Sequence, residues 1–255
     1  MKPGERRLPV YTLEGNDFFV DVAHGVLREV AYPGNEIPFY LMKDKLDHYT
    51  MHFHRGIKNF PQSAMDDPQI VVVPVPKMVV LDAEGMALKY GVSMDGISQL
   101  RDVDVMNNQE QLARRLNDEY PIIDIASRDF RVYLGLGELR DVTDPSRVIA
   151  IDDLYSSPFE RNACYYLPKT CQVVKIGPDK KKLPAGLVKV ISPDRLALDP
   201  IGAARLYGLD DLEMLRRYPI GKRLEAHVSR LSKAELTRIM NICRIRSKRI
   251  KRPSL

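Results

Sequence analysis

A stretch of 35 residues that returns 112 positions later constrains this chain more than any other feature. LPVYTLEGNDFFVDVAHGVLREVAYPGNEIPFYLM (8–42) lies over YPIIDIASRDFRVYLGLGELRDVTDPSRVIAIDDL (120–154) without a gap. Ten positions are identical: Pro9/Pro121, Asp17/Asp129, Phe18/Phe130, Val20/Val132, Gly25/Gly137, Leu27/Leu139, Arg28/Arg140, Val30/Val142, Pro33/Pro145 and Ile37/Ile149. A second block, PKMVVLDAEGMALKYG (76–91), matches PDRLALDPIGAARLYG (193–208) and shares Pro76/Pro193, Leu81/Leu198, Asp82/Asp199, Gly85/Gly202, Ala87/Ala204, Tyr90/Tyr207 and Gly91/Gly208. The offset has grown to 117 there, so the later copy has gained five residues, which fits an insertion in the loop GPDKKKLPAG (177–186). A fainter match sets NQEQLARRLND (108–118) over SKAELTRIMNI (232–242). Recurrence at a fixed spacing points to duplication of a unit of roughly 110 residues.

The residues inside the repeat predict its local structure. Val10, Thr12, Phe18, Val20 and Val22 alternate around Gly15-Asn16, the pattern of a hairpin with a polar turn. Gly25 and Gly137 stand where the next turn requires positive φ, and Pro33-Gly34-Asn35 and Pro145-Ser146-Arg147 mark another. IVVVPVP (70–76) has the β-branched run of a strand, but Pro74 and Pro76 cannot donate to a ladder and assign it to an edge. A short helix follows, with Asp82 or Asp199 as N-cap, Pro200 at the first helical position and Gly91 or Gly208 beyond the end. Gly85 and Gly202 inside so short a helix imply that something approaches closely there. The expected architecture is α+β: a tandem duplication in which each unit is a short antiparallel sheet with one short and one longer helix. Residues 1–119 form the first unit, 120–231 the second, and 232–255 a basic C-terminal helix and tail.

Composition narrows the function classes. With 44% apolar residues the chain is too hydrophobic to be disordered. No run approaches the roughly 18 apolar residues of a membrane span. MKPGERRLPV is charged without an apolar h-region after it, so the expected location is cytoplasmic. Cys164, Cys171 and Cys243 show no CxxC spacing and read as reduced and structural.

Charge is unevenly placed. The net +5 conceals eleven Lys/Arg against Glu225 and Glu235 between residues 219 and 255, so the remainder is net acidic. Ser232 and Glu235 form a capping box before LTRIMNICRIRSKRI, and Leu236, Ile239, Met240 and Cys243 fall at helical spacing. Beyond them Arg244, Arg246, Lys248, Arg249, Lys251 and Arg252 crowd into nine residues. These six together with Arg238 are the expected nucleic-acid contacts, because phosphate binding needs only cations at a helical pitch and no base-reading side chain.

Two further constellations bear chemistry. DHYTMHFH places His48, His52 and His54 at one parity beside Asp47, so a strand would present all three on one face as weak candidate metal ligands, alternatively as an outward polar face. Asp17/Asp129 and Arg28/Arg140 persist in both copies and read as turn caps or surface ion pairs. No GxGxxG, GxxxxGK[ST], GxSxG or HExxH occurs, and no cofactor is implied. The leading expectation is a non-enzymatic protein whose basic helix contacts nucleic acid without sequence preference. The alternatives are a protein-interaction or scaffold module with an acidic partner, and a metal-dependent hydrolase or nuclease at the histidine cluster.

Overall fold

The computed structural model describes residues 6–45, 47–62, 66–176 and 183–250, with side chains described as far as residue 241. The protein is a mixed α+β chain that divides into two compact units, Met1–Gln109 with Leu215–Pro219, and Glu110–Met214 with Ile220–Leu255.

The first unit opens as an antiparallel meander of β1 (Val10–Leu13), β2 (Asn16–Asp21), β3 (Val26–Glu29) and β4 (Glu36–Pro38). Period-two alternation sends Phe18 and Val20 inward, and Val20 faces Leu27, which in turn faces Ile37. The first turn sits one residue earlier than the alternation suggested. Glu14 and Gly15 take φ of 49° and 74°, so that Leu13 and Asn16 make the first ladder pair, as a two-residue primed turn requires. Pro38 and a 3-10 turn at Phe39–Leu41 then end this sheet. A separate sheet follows, in the order β5 (Lys43–Asp44), β6 (His48–His54) and β7 (Ile70–Pro76), so the strand that carries Pro74 and Pro76 is at an edge. Short helices α1 (Met78–Leu81), α2 (Ala83–Tyr90) and α3 (Asp102–Met106) complete the unit. Phe18, Phe53, Tyr49, Val75 and Met86 lie in one buried cluster among these elements.

The second unit begins with α4 (Gln109–Leu116), whose residues from Glu110 onward group here rather than with the first unit. The meander recurs as β8 (Ile122–Asp124), β9 (Asp129–Tyr133), β10 (Glu138–Asp141) and β11 (Val148–Ala150). Strands β12 (Ala163–Leu167), β13 (Gln172–Val173) and β14 (Val188–Ile191) precede α5 (Pro200–Leu206). Then come β15 (Leu224–Glu225), β16 (His227–Arg230) and α6 (Lys233–Ile250). The sheets run β11-β10-β9-β8-β15 and β13-β12-β14-β16, and β15 joins β8 in parallel. Each unit therefore carries two sheets where the sequence suggested one. The run after the meander pairs with its own return strand once a 3-10 turn has redirected the chain.

Local geometry recurs from unit to unit. Val20 N donates to Pro9 O at 2.9 Å and Val132 N to Pro121 O at 2.8 Å. Val20 pairs with Leu27, and Val132 with Leu139. Gly25 and Gly137 both adopt the expected positive φ, at 71° and 68°, and each carbonyl accepts from the residue opening the next 3-10 turn, Phe39 or Ile151. Asp82 and Asp199 both cap their helices, accepting from Gly85 N and Gly202 N at 2.9 Å. Those two glycines explain themselves: a Cβ at Gly85 would stand 2.1 Å from Asp82 Oδ2, and one at Gly202 would stand 2.2 Å from Asp199 Oδ2. The close neighbour is the cap carboxylate itself, pinned by an arginine fork that is part-buried in the first unit and buried in the second. Arg6 grips Asp82, with Nη1 at 2.7 Å, and Arg115 grips Asp199 at 2.8 and 3.1 Å.

Candidate nucleic-acid interface

α6 starts where the capping box predicts. Glu235 N donates to Ser232 Oγ at 3.2 Å, and Ser232 N donates to Glu235 Oε2 at 2.9 Å. The Ser232 amide holds the Glu235 carboxyl below the usual carboxylate range. One turn on, Ile239 is 1% exposed and packs with Tyr165, Val174 and Leu187, while Leu231 packs against the same cluster. Lys189 Nζ, on β14, lies 3.4 Å from Glu235 Oε1 and 3.2 Å from Glu160 Oε2, and the bond to Glu160 is the main reason its ammonium titrates higher than usual. Arg238 sets its guanidinium 4.9 Å above the Phe159 ring. The first two turns of α6 are thus seated on the second unit by one buried aliphatic side chain, one ion pair and one cation–π contact.

The opposite side of these turns is open. Lys233, Ala234, Thr237, Arg238 and Asn241 border a shallow depression of about 670 Å³. Thr237 Oγ1 donates to Lys233 O at 2.9 Å, so its hydroxyl is occupied by its own helix. The helical backbone runs on to Ile250 and so includes Arg244, Arg246, Lys248 and Arg249. The side chains of these four, and Lys251 and Arg252 altogether, lie outside the described residues, as does the side chain of Cys243. Of the expected contacts, Arg238 is the one whose side chain is placed. The sequence reading missed Phe159, Glu160 and Lys189 as the seat of α6. The single available signal was Lys189 as the lone polar residue within the apolar run LVKVI.

The histidines share the outward face of β6, as their parity predicts, while Tyr49, Met51 and Phe53 point into the core. Their imidazoles are engaged separately. His48 Nδ1 is 2.6 Å from Asp47 Oδ1, His54 Nε2 is 3.3 Å from Asp67 Oδ2, and His54 Nδ1 accepts from Gly56 N at 3.0 Å. His52 is exposed. Among the described residues no group of three His, Cys, Asp or Glu side chains is arranged to hold a metal ion.

Asp17 accepts from Thr12 Oγ1 at 2.6 Å beside the first turn. Arg28 pairs with Asp21 at 2.9 Å and Glu36 at 3.1 Å, and Arg140 with Glu138 at 2.9 Å.

A buried polar cluster in the first unit escaped the sequence reading. Asp102, 1% exposed, accepts from Met78 N at 2.8 Å, from Val79 N at 2.9 Å and from the Tyr49 hydroxyl, and burial raises its pKa. Lys77 Nζ lies 4.2 Å above the Tyr49 ring, donates to Lys45 O at 2.6 Å and contacts the Asp44 carboxylate. Arg216, from the returning segment 215–219, lies 5.1 Å from the same ring and donates to Phe39 O at 3.2 Å. Each charged member has a partner, and the cluster caps α1 and secures that segment.

Among the described residues no helix is long and apolar enough to cross a membrane. No protein-family model matches this chain, and no curated protein or solved structure matches it.

Proposed function

We propose that this chain is a non-enzymatic binding protein whose C-terminal helix contacts the phosphate backbone of nucleic acid. One observation carries the reading. α6 is a continuous helix of 18 residues, seated by its first two turns and running on into the cationic cluster that begins at Arg244. Six positive side chains between Arg244 and Arg252, with no acidic residue among them, form the kind of segment that displaces counterions from a polyanion. The rest of the chain is net acidic, which assigns the affinity to the helix. The free thiols of Cys164 and Cys171 suit a reducing, cytoplasmic setting.

The two units are, in the same reading, copies of one ancestral unit of roughly 110 residues, with α6 an elaboration of the second. The gapless identities, the equal registers and the twin aspartate caps support it.

The test is a titration of labelled duplex by full-length protein and by a chain ending at Cys243. Full-length affinity is expected to fall by about two orders of magnitude between roughly 50 and 200 mM salt if four to six cations reach phosphates. The truncated chain retains Ile239 and its seat, and is expected to lose binding with its circular dichroism otherwise unchanged. Equal binding by the two chains, or none by either at low salt, would reject the reading in favour of a scaffold with an acidic protein partner.

A further inference from the structure

Leu215–Pro219 groups with the first unit although the chain on either side of it belongs to the second. Two of its residues account for the return. Leu215 is fully buried, and Arg216 turns inward, where it lies 5.1 Å from the Tyr49 ring, donates to Phe39 O at 3.2 Å and stands 3.6 Å from Asp44. Arg217 is exposed and contributes to neither. Its guanidinium is nevertheless placed, 4.9 Å from the centre of the Tyr40 ring and 5.2 Å from that of Tyr218. Tyr40 stands in the 3-10 turn Phe39–Leu41, where successive side chains point in different directions. Phe39 is buried, which leaves Tyr40 and Leu41 outward at 37% and 54% exposed.

Arg6, Arg28, Arg55, Arg101 and Arg216 of the same unit each meet a carboxylate. Among the described residues Arg217 has no ion pair and no hydrogen bond. Ring contacts engage the face of a guanidinium and leave the N–H groups in its plane to point outward. Arg217 is thus held in place with its donors unspent, matched to a planar acceptor that can take two of them, and Tyr40, Tyr218 and Leu41 offer apolar area around it.

Such a fork accepts a carboxylate or a phosphate. A polyanion draws its affinity from several cations at once, but the neighbouring Arg216 is already spent on Asp44 and Phe39 O, so Arg217 acts alone. An exposed leucine beside it adds nothing to a phosphodiester contact. Tyrosine and arginine in one patch with aliphatic area next to them are instead the residues that carry most of the affinity where proteins meet. The stacked guanidinium has also given up much of its rotamer freedom before any partner arrives, which lowers the cost of docking.

We propose that Tyr40, Leu41, Arg217 and Tyr218 form a docking surface for a protein partner that presents one carboxylate beside an apolar side chain. The surface belongs to the first unit and does not depend on the reading of α6.

Full-length protein serves as bait for a displayed library of random short peptides, and the enriched peptide is then labelled and titrated by anisotropy. The enriched peptides are expected to share an Asp or Glu next to an aliphatic or aromatic residue. Arg217→Ala is expected to weaken binding about thirtyfold with its circular dichroism unchanged. Arg217→Lys keeps the charge but neither the fork nor the stacking, and should lose nearly as much. Exchanging the peptide carboxylate for its amide should cost a similar factor against the unaltered protein and next to nothing against Arg217→Ala, because the two groups meet each other. No enriched peptide, an enriched peptide without an acidic residue, or binding unmoved by Arg217→Ala would overturn the proposal. Loss of single-stranded DNA binding on Arg217→Ala would overturn it too, by giving the surface to nucleic acid.

Discussion

Glu29 and Asp141 hold the same step of the third meander strand in the two units, paired across the sheet with Phe18 and Phe130, and both carboxylates are buried. Their partners differ. Glu29 reaches outward to Asn35 at 3.0 Å and to Lys58 at 2.6 Å, a residue held at φ 52°. Asp141 is shorter and is satisfied locally, by Thr143 N and Thr143 Oγ1 at 2.8 Å and by Arg128. Cys171, the left-handed residue of the hairpin loop after β12 at φ 55°, carries no ammonium, and its thiol donates to Pro168 O at 3.5 Å. The helix caps tell the same story. Asp82 takes its arginine from ahead of β1, whereas Asp199 takes one from α4. Backbone demands persist between the units while the counter-charge is recruited from whatever segment passes by. A buried carboxylate left without a partner costs far more than any particular partner contributes.

The sharpest way to break this comparison is to remove the cap carboxylates. Asp199→Ala would leave Arg115, whose side chain is 8% exposed, with only Asp118 at 3.9 Å, whereas Asp82→Ala would leave Arg6, whose side chain is 24% exposed, with Glu84 at 3.7 Å, so the two differ chiefly in burial. Urea unfolding is expected to show about 3–5 kcal/mol lost for Asp199→Ala and roughly half that for Asp82→Ala. Equal losses would mean that the two forks are interchangeable and that exposure does not set their worth.

Gly85→Ala and Gly202→Ala come next. Glycine to alanine inside a helix ordinarily stabilises by about 1 kcal/mol. Here the new methyl would stand 2.1 or 2.2 Å from the cap oxygen, so each variant is expected to lose about 2 kcal/mol through the displaced cap. A rise in the urea midpoint for either would show that the carboxylate can swing aside.

The smallest effect tests the buried acids. Hydrogen bonds from Asn35 and Lys58 hold the Glu29 carboxyl below its ordinary value. Burial pushes Asp141 up, but Arg128 and Thr143 outweigh it and hold that carboxyl well below the carboxylate range. A depressed folded pKa stabilises above the unfolded value, about 4, and the contribution disappears as pH falls through the folded one. Lys58→Ala is therefore expected to cost about 1 kcal/mol at pH 7, discounted because the lysine is part-exposed, and less at about pH 2.5. An identical loss at both pH values would assign the effect to the hairpin loop's packing and not to the ion pair. Asp102 has the opposite sign: burial raises its pKa, so the first unit loses stability from this group as pH rises from the unfolded value to the folded one.

Much of the local structure was legible. Gly25 and Gly137 at positive φ, the Asp82 and Asp199 caps, the edge position of Pro74 and Pro76, and the Ser232–Glu235 box each depend on a few neighbouring residues, and each stands where the sequence placed it. The shared outward parity of His48, His52 and His54 was legible too, because alternation is a backbone property. Their divergence onto Asp47, Asp67 and Gly56 was not, since it turns on rotamers and on a loop that folds back. Of the candidate interface, the start and apolar stripe of α6 could be read from spacing, but its seat on Lys189 and Phe159 could not.

By itself, then, the sequence determined the sites of turns and helix caps and the concentration of positive charge at one end, all of which follow from the chemistry of adjacent residues. Tertiary structure alone decided that each unit splits into two sheets, that α4 joins the second unit, and that Leu215–Pro219 returns to the first. It also decided which arginine answers each buried aspartate, across 76 residues in one unit and 84 in the other. A cap needs only its own helix, whereas the partner of a buried charge is whichever segment the fold brings within 3 Å, and no local pattern encodes that meeting.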